Sequence, residues 1–254
     1  MVKGLDTFLE HFKGFETSYV LIGGTACDVW LSASGLRFRA TKDLDVVLIV
    51  EAMDAAFLTH FWDFIRTGRY ESLEQSEHRP EFYRFVGPAS PDHPFMIELL
   101  TRNHLNLPEG VHLTPIPADE DISSLSAILL NDEYYRYVID SRVVTDGVPI
   151  VPANCLMPMK ARAWLDLAQR REAGDNVKGD DIKKHRNDVF RLYLSLAPSD
   201  RFALPRQLGA DLEMFLSKHP PEHPDWLAIR QAVGIDSMPE PDVVLEQIRA
   251  IFML

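Results

Sequence analysis

Apolar residues at Leu5, Phe8, Leu9 and Phe12 have the i, i+3, i+4, i+7 spacing of one helical face, so a helix is expected to open the chain. A β-prone run at 18–22 (SYVLI) ends in Gly23-Gly24. Positions 25–34 then read as a helix, with Gly35 as its C′ residue. Polar residues 37–42 are expected to form a loop. Residues 43–50 (DLDVVLIV) read as a strand whose apolar end enters the core, and 52–66 as a helix ending near Gly68. Two more strands are expected at 82–86 (FYRFV) and 95–100 (FMIELL), across a Pro-rich turn. From 107 to 150 the pattern is weakest. Residues 123–139 fit a helix with a Ser cap, and 148–151 a short strand after the Asp146-Gly147 turn. From 153 onward every period is helical: 153–173, closed by Gly174, then 180–196, 205–218, 225–233 and 242–252. The expectation is an α+β chain, an α/β half at 1–150 preceding an α-helical half at 151–254.

Composition narrows this picture. The chain has 254 residues, 46% of them apolar, which is globular rather than disordered. No run of 18 apolar residues predicts a membrane span, and the first residues lack the apolar core of a secretory signal. Two cysteines, Cys27 and Cys155, allow at most one disulfide, so a reducing, cytoplasmic setting is expected. No Cys/His quartet exists, and zinc is not expected. The net charge of −12 argues against a general polyanion binder. Residues 160–191 nevertheless hold nine Lys/Arg against six Asp/Glu, which leaves room for a local anion site.

Five places carry candidate chemistry. Gly23-Gly24-Thr25 is either a tight strand-to-helix turn or a cradle whose helix N–H groups hold phosphate oxygens. Asp43-Leu44-Asp45 opens a strand with both carboxylates on one face. They are either a solvated strand end or a pair that needs a divalent cation. Glu98 interrupts an apolar strand. It points outward, or it joins Asp43 and Asp45 in a three-carboxylate site able to hold two metal ions. Lys160 lies within the apolar stripe of its helix; it snorkels to the surface or reaches a cleft to neutralise a triphosphate. Lys183-Lys184-His185-Arg186-Asn187-Asp188 is either a solvated helix face or a second set of cleft residues.

Together, Gly23-Gly24-Thr25-Ala26 and Arg39-Ala40-Thr41-Lys42-Asp43-Leu44-Asp45 resemble the signature of the polymerase-beta-like nucleotidyltransferase superfamily. The chain is most similar there to the AbiEii/AbiGii group, the nucleotidyltransferase-like toxins of type IV toxin–antitoxin systems. The segments LMPMKARAWLDLAQRR and DDIKKHRNDVFRL resemble that group's helical half. The resemblance implies a mixed-sheet nucleotidyltransferase core followed by a helical domain that completes the cleft. It implies a nucleotide site at Gly23, Gly24, Thr25, Arg39 and Lys160, and Mg²⁺ or Mn²⁺ on Asp43, Asp45 and Glu98. Asp43, Asp45, Glu98, Lys160 and Asp188 would be the catalytic set. The implied reaction moves a nucleoside monophosphate from an NTP to an acceptor hydroxyl, on an RNA or tRNA end or a protein, with an antitoxin as partner. Two positions depart from the pattern: Gly-Thr stands where Gly-Ser is usual, and His185 where the helical motif has its first acid. A catalytically inactive nucleotide-binding regulator of the same fold is the alternative. A plain interaction protein with solvated acids is a third reading.

Overall fold

The computed structural model of the chain describes residues 2–49, 55–72, 82–100, 131–234 and 238–254. The chain forms two compact units, one of Met1–Ser126 with Ser141–Pro152, the other of Ala127–Asp140 with Ala153–Leu254.

In the first unit the described elements are α1 (Leu5–His11), β1 (Tyr19–Leu21), α2 (Gly23–Ala33), β2 (Asp43–Leu48), α3 (Ala55–Gly68), β3 (Glu71–Ser72), β4 (Phe82–Val86), β5 (Met96–Leu100), β6 (Val143–Thr145) and β7 (Val148–Ile150). Seven strands among the described residues form one mixed sheet in the order β3-β4-β5-β2-β1-β7-β6. β2 runs parallel to β5 and β1 parallel to β7; the other neighbours are antiparallel.

Because side chains alternate along a strand, this register sorts the sheet into two unlike faces. Tyr19, Leu48, Val46, Leu44, Ile97, Leu99 and Phe85 share one face, all buried. An aromatic layer from α1 and α3 covers it: Phe8 meets Tyr19 edge-on at 5.4 Å and Phe64 at 5.5 Å, and Phe61 meets Phe85 at 5.8 Å. The other face carries Asp43, Asp45, Glu98 and Arg84 in its middle strands.

Several ends differ from the sequence pattern. α2 starts at Gly23 rather than Thr25, so the glycine pair is its first turn rather than a loop before it. β5 starts at Met96, leaving Phe95 55% exposed. β6 was not foreseen; it pairs with β7 across the expected Asp146-Gly147 turn, where both residues have positive φ. The foreseen strand end at Val50, the helix start at 52–54 and the Ser cap near 123 fall outside the described residues.

The second unit is helical: α4 (Asp132–Ser141, its final residue counted with the first unit), α5 (Ala153–Glu172), α6 (Gly179–Tyr193), α7 (Arg206–Ser217), α8 (Trp226–Val233) and α9 (Pro241–Phe252). α5 buries residues from Ala153 to Leu167 and runs on through Pro158, whose missing N–H usually costs about 3 kcal/mol in a helix interior. α4 is capped by Asn131, whose Oδ1 accepts from the N–H of Glu133 at 2.9 Å. It goes with the helices rather than the sheet because its buried face is tied to α7. The Tyr134 hydroxyl donates to Asp211 Oδ2 at 2.9 Å, and the Gln207 N–H donates to Glu133 Oε2 at 3.0 Å. The contacts thus group this segment with the helices, where the sequence pattern alone divides the chain at residue 150. Among the described residues no helix is long and apolar enough to cross a membrane.

Candidate functional site

The Gly23–Thr25 turn and the Asp43–Asp45 strand opening are locked together. The Ile22 N–H donates to the Asp45 carbonyl at 3.0 Å, and the Thr25 hydroxyl donates to the Asp43 carbonyl at 3.0 Å. Gly23 has φ +65, and a Cβ there would lie 1.8 Å from Asp45 Oδ2. The Asp45 carboxylate thus rests against the Cα of Gly23, at the N-terminal end of α2, where the helix dipole favours negative charge. A Cβ on Gly24 would lie 2.5 Å from the Thr41 hydroxyl. Glycine is needed at both positions for close approach. The N-cap residue of α2 is Ile22, which supplies no side-chain hydrogen bond, and the first turn contains no acid. That is the arrangement of a helix end suited to an anion.

Asp43 and Asp45 are half-buried and lie on the same face of β2. On the next strand Glu98 stands opposite Asp45, and one strand further Arg84 stands opposite Glu98. Directly paired residues share a sheet face, so Asp45, Glu98 and Arg84 form a row. Arg84 Nε and Nη2 both donate to Glu98 Oε1, at 2.8 and 2.5 Å, and the Glu98 side chain is only 9% exposed. Among the described residues no three His, Cys, Asp or Glu side chains converge as a metal-holding set. Two accessible carboxylates are still a fitting donor set for Mg²⁺, which is commonly held by one or two carboxylates together with substrate phosphates and water. Arg39 is half-buried in the loop ahead of Asp43, its guanidinium 5.0 Å from the centre of the Phe38 ring.

The remaining foreseen residues lie in the helical unit and meet each other. Lys160 of α5 and Asp188 of α6 are 1% and 0% exposed, with Lys160 Nζ 3.4 Å from Asp188 Oδ2. Arg191 Nη1 donates to Asp188 Oδ1 at 2.9 Å, and its Nη2 to the Ala232 carbonyl at 2.6 Å. Asp188 is therefore clamped between two cations, joining α5, α6 and the last turn of α8. A triphosphate reaches Lys160 only if this pair opens. His185 is buried one turn before Asp188. Lys183 and Lys184 sit on the exposed side of α6, paired with Asp180 and Asp181.

Two features were not singled out in the sequence. Arg84 had a signal: FYRFV and FMIELL each place one charge, of opposite sign, at the centre of an apolar strand. His219-x-x-x-His223 has the spacing of a zinc pair, contrary to the expectation that the histidines show no H-x-x-x-H spacing, and its first member belongs to the core. His219 is 1% exposed, its Nδ1 is 2.8 Å from the Phe215 carbonyl, and its ring is 4.7 Å from Trp164. Burial pushes its pKa down to about 4, so the ring is neutral at pH 7.

No protein-family profile matches the chain. No curated protein matches it. Solved structures similar to it include two at low identity. One is an antigenic nucleotidyltransferase-like protein from Paracoccidioides brasiliensis, 17% identical, covering 89% of each chain with a TM-score of 0.41. The other is the antibiotic-resistance factor ANT(2'')-Ia, 11% identical, covering 85% of this chain and 91% of that one with a TM-score of 0.39.

Proposed function

We propose that the chain is a nucleotidyltransferase whose NTP site is built on the first unit. The observation that carries this reading is the interlock of a helix N-terminus with a pair of carboxylates. The Asp45 carboxylate touches the Cα of Gly23 while Thr25 holds the Asp43 backbone, so an anion-binding end and a cation-holding pair occupy one spot. A nucleoside triphosphate with its divalent ion carries both charges that such a spot accepts. The sequence resemblance supports the same reading.

In this reading the first turn of α2, with Gly23, Gly24 and Thr25, holds the β- and γ-phosphate oxygens, and Arg39 adds a cation from the loop ahead of β2. Asp43 and Asp45 hold Mg²⁺ or Mn²⁺, which when bound neutralises triphosphate charge. Glu98 accepts the proton of the acceptor hydroxyl as its oxygen bonds to the α-phosphorus. The bond from that phosphorus to the β-phosphate oxygen breaks, and pyrophosphate leaves with the electron pair. The protein's contribution is mainly positioning and fixed charge. Lys160 and Asp188 serve the reaction indirectly, as the ion pair that fixes α5 on α6. The acceptor, an RNA end or a protein side chain, and an antitoxin partner rest on the sequence resemblance alone.

The test is label transfer from each α-labelled NTP, with Mg²⁺ and a total-RNA pool, by wild type and an Asp43→Ala/Asp45→Ala variant. Label appearing on RNA or protein with wild type only is the expected result. Absence of transfer alongside metal-dependent NTP binding would favour the regulatory reading.

A further inference from the structure

Phe95, the residue just before β5, is more than half exposed at the end of a loop whose neighbouring residues are held firmly. We propose that Phe95 is the platform on which the base of the incoming nucleoside triphosphate stacks, with Lys42 on the opposite face of the ring. The assignment rests on the nucleotidyltransfer reading above and adds to it a place for the nucleoside.

The sheet register sets the location. β1 and β4 end where β2 and β5 begin: Leu21 pairs with Val46, Val86 with Met96, and Met96 with Asp43. The Gly23 turn follows β1, while Lys42 and Phe95 each precede the start of a strand. The glycine turn, the acid pair and the Phe95 ring therefore gather at one end of the sheet. Neighbouring strands are about 5 Å apart, so Phe95 lies within the length of one nucleotide of Asp43.

The backbone around Phe95 is fixed from three directions. The Tyr70 hydroxyl donates to the Pro94 carbonyl at 2.7 Å. The His93 ring packs 4.7 Å from the ring of Phe64 in α3. Gly4, just ahead of α1 with φ +82, lies so close that a Cβ there would be 2.2 Å from the Pro94 nitrogen. Residues 93 and 94 are thus anchored, and the side chain that follows them is left 55% exposed. A lone exposed apolar residue is ordinary on a protein surface. An anchored aromatic ring beside an anion-binding turn has a more definite use, because a ring already in place loses little freedom when a ligand arrives.

The chemistry suits a base. Lys42 is itself exposed, and its Nζ is 6.0 Å from the centre of the Phe95 ring, within cation–π reach. A phenyl ring has two faces, so a cation on one leaves the other for a flat π system. Phenylalanine carries no donor or acceptor and cannot read the edge of a base. Phe95 therefore recognises a nucleobase as such, while the phosphates are held separately at the first turn of α2.

The experiment compares calorimetric affinities, with Mg²⁺ present, for α,β-methylene NTPs and for inorganic tripolyphosphate, which has phosphates and no base. Phe95→Ala is expected to weaken the NTPs by roughly 5- to 150-fold, the range for loss of one base stack. It should leave tripolyphosphate affinity within about twofold of wild type. Phe95→Leu keeps an apolar side chain without a π face and should weaken the NTPs as Phe95→Ala does; Phe95→Trp should restore them. Because Phe95 is exposed, all three variants should unfold near the wild-type midpoint. Unchanged NTP affinity in Phe95→Ala, or an equal loss for NTPs and tripolyphosphate, would overturn the assignment while leaving the nucleotidyltransfer reading intact. So would unchanged NTP affinity with a raised KM for the acceptor, which would place the ring on the acceptor side. Neither NTP nor tripolyphosphate bound by wild type would overturn both.

Discussion

Each unit contains a cluster of acid and base on otherwise apolar elements, and the two clusters are built for opposite ends. In the helical unit Asp188 is fully enclosed, with Lys160 on one oxygen and Arg191 on the other, and every charge has its partner within the protein. In the sheet unit Asp43 and Asp45 are half-buried, the Asp45 carboxylate rests against a helix N-terminus, and the same sheet face presents Glu98 paired with Arg84. A closed cluster holds helices together at the cost of desolvating its members. A half-buried cluster at a helix N-terminus is more exposed to water and to ligands than a fully enclosed one. The lesson is that a charged residue in an apolar pattern has no fixed meaning until its partners and its exposure are known.

The comparison can be broken first at its functional end, where the largest effect is expected. Asp43→Ala/Asp45→Ala should lower nucleotide transfer by roughly 10⁴-fold, about 5 kcal/mol of transition-state stabilisation. Its denaturation midpoint should stay near that of wild type, since both side chains are half-exposed. Asp188→Asn should do the reverse. It leaves Lys160 and Arg191 buried around a neutral group, and chemical denaturation should show a loss of about 3–5 kcal/mol. Lys160→Met should cost less, because Arg191 still holds Asp188. A rise in KM for the NTP with unchanged stability would instead place Lys160 on the phosphates.

A third effect belongs to the helical unit alone. The His219 pKa is lowered to about 4 by burial, against about 6.5 in the unfolded chain, so the unfolded state binds the proton more readily. Stability is complete above pH 6.5, declines as pH falls from there toward 4, and loses no more below that. The full loss is on the order of 3 kcal/mol. Denaturation of wild type and His219→Phe across this window should show the decline in wild type and a flatter profile in the variant. The smallest effect is that of Tyr134→Phe, which removes one donor to Asp211 while Gln207 remains hydrogen-bonded to it at 3.0 Å, for about 1 kcal/mol.

Much of this architecture was legible in the chain. Gly35 after α2, the Asp146-Gly147 turn and the Pro-rich breaks after α7 and α8 each act through local backbone preference, and the elements they bound came out within a few residues. The alternation in DLDVV likewise predicted that Asp43 and Asp45 share a face. What could not be read was partnership across the sheet. The pairing of Glu98 with Arg84 depends on a register between strands that the sequence does not print, and so does the position of Glu98 opposite Asp45. The clamp on Asp188 depends on which face α5 turns to α6. Lys160, a residue that commonly snorkels outward, is drawn inward by an acid 28 positions further along the chain. Helical periodicity placed α4 among the weakest elements because its anchor, Asp211, lies 77 residues away.

The most direct test of the central claim is a calorimetric titration of α,β-methylene NTPs into wild type and an Asp43→Asn/Asp45→Asn variant, with and without Mg²⁺. The account predicts saturable binding of at least one nucleotide by wild type only when Mg²⁺ is present, and its loss in the variant. Equal binding by both proteins, or none by wild type with any of the four nucleotides, would contradict it.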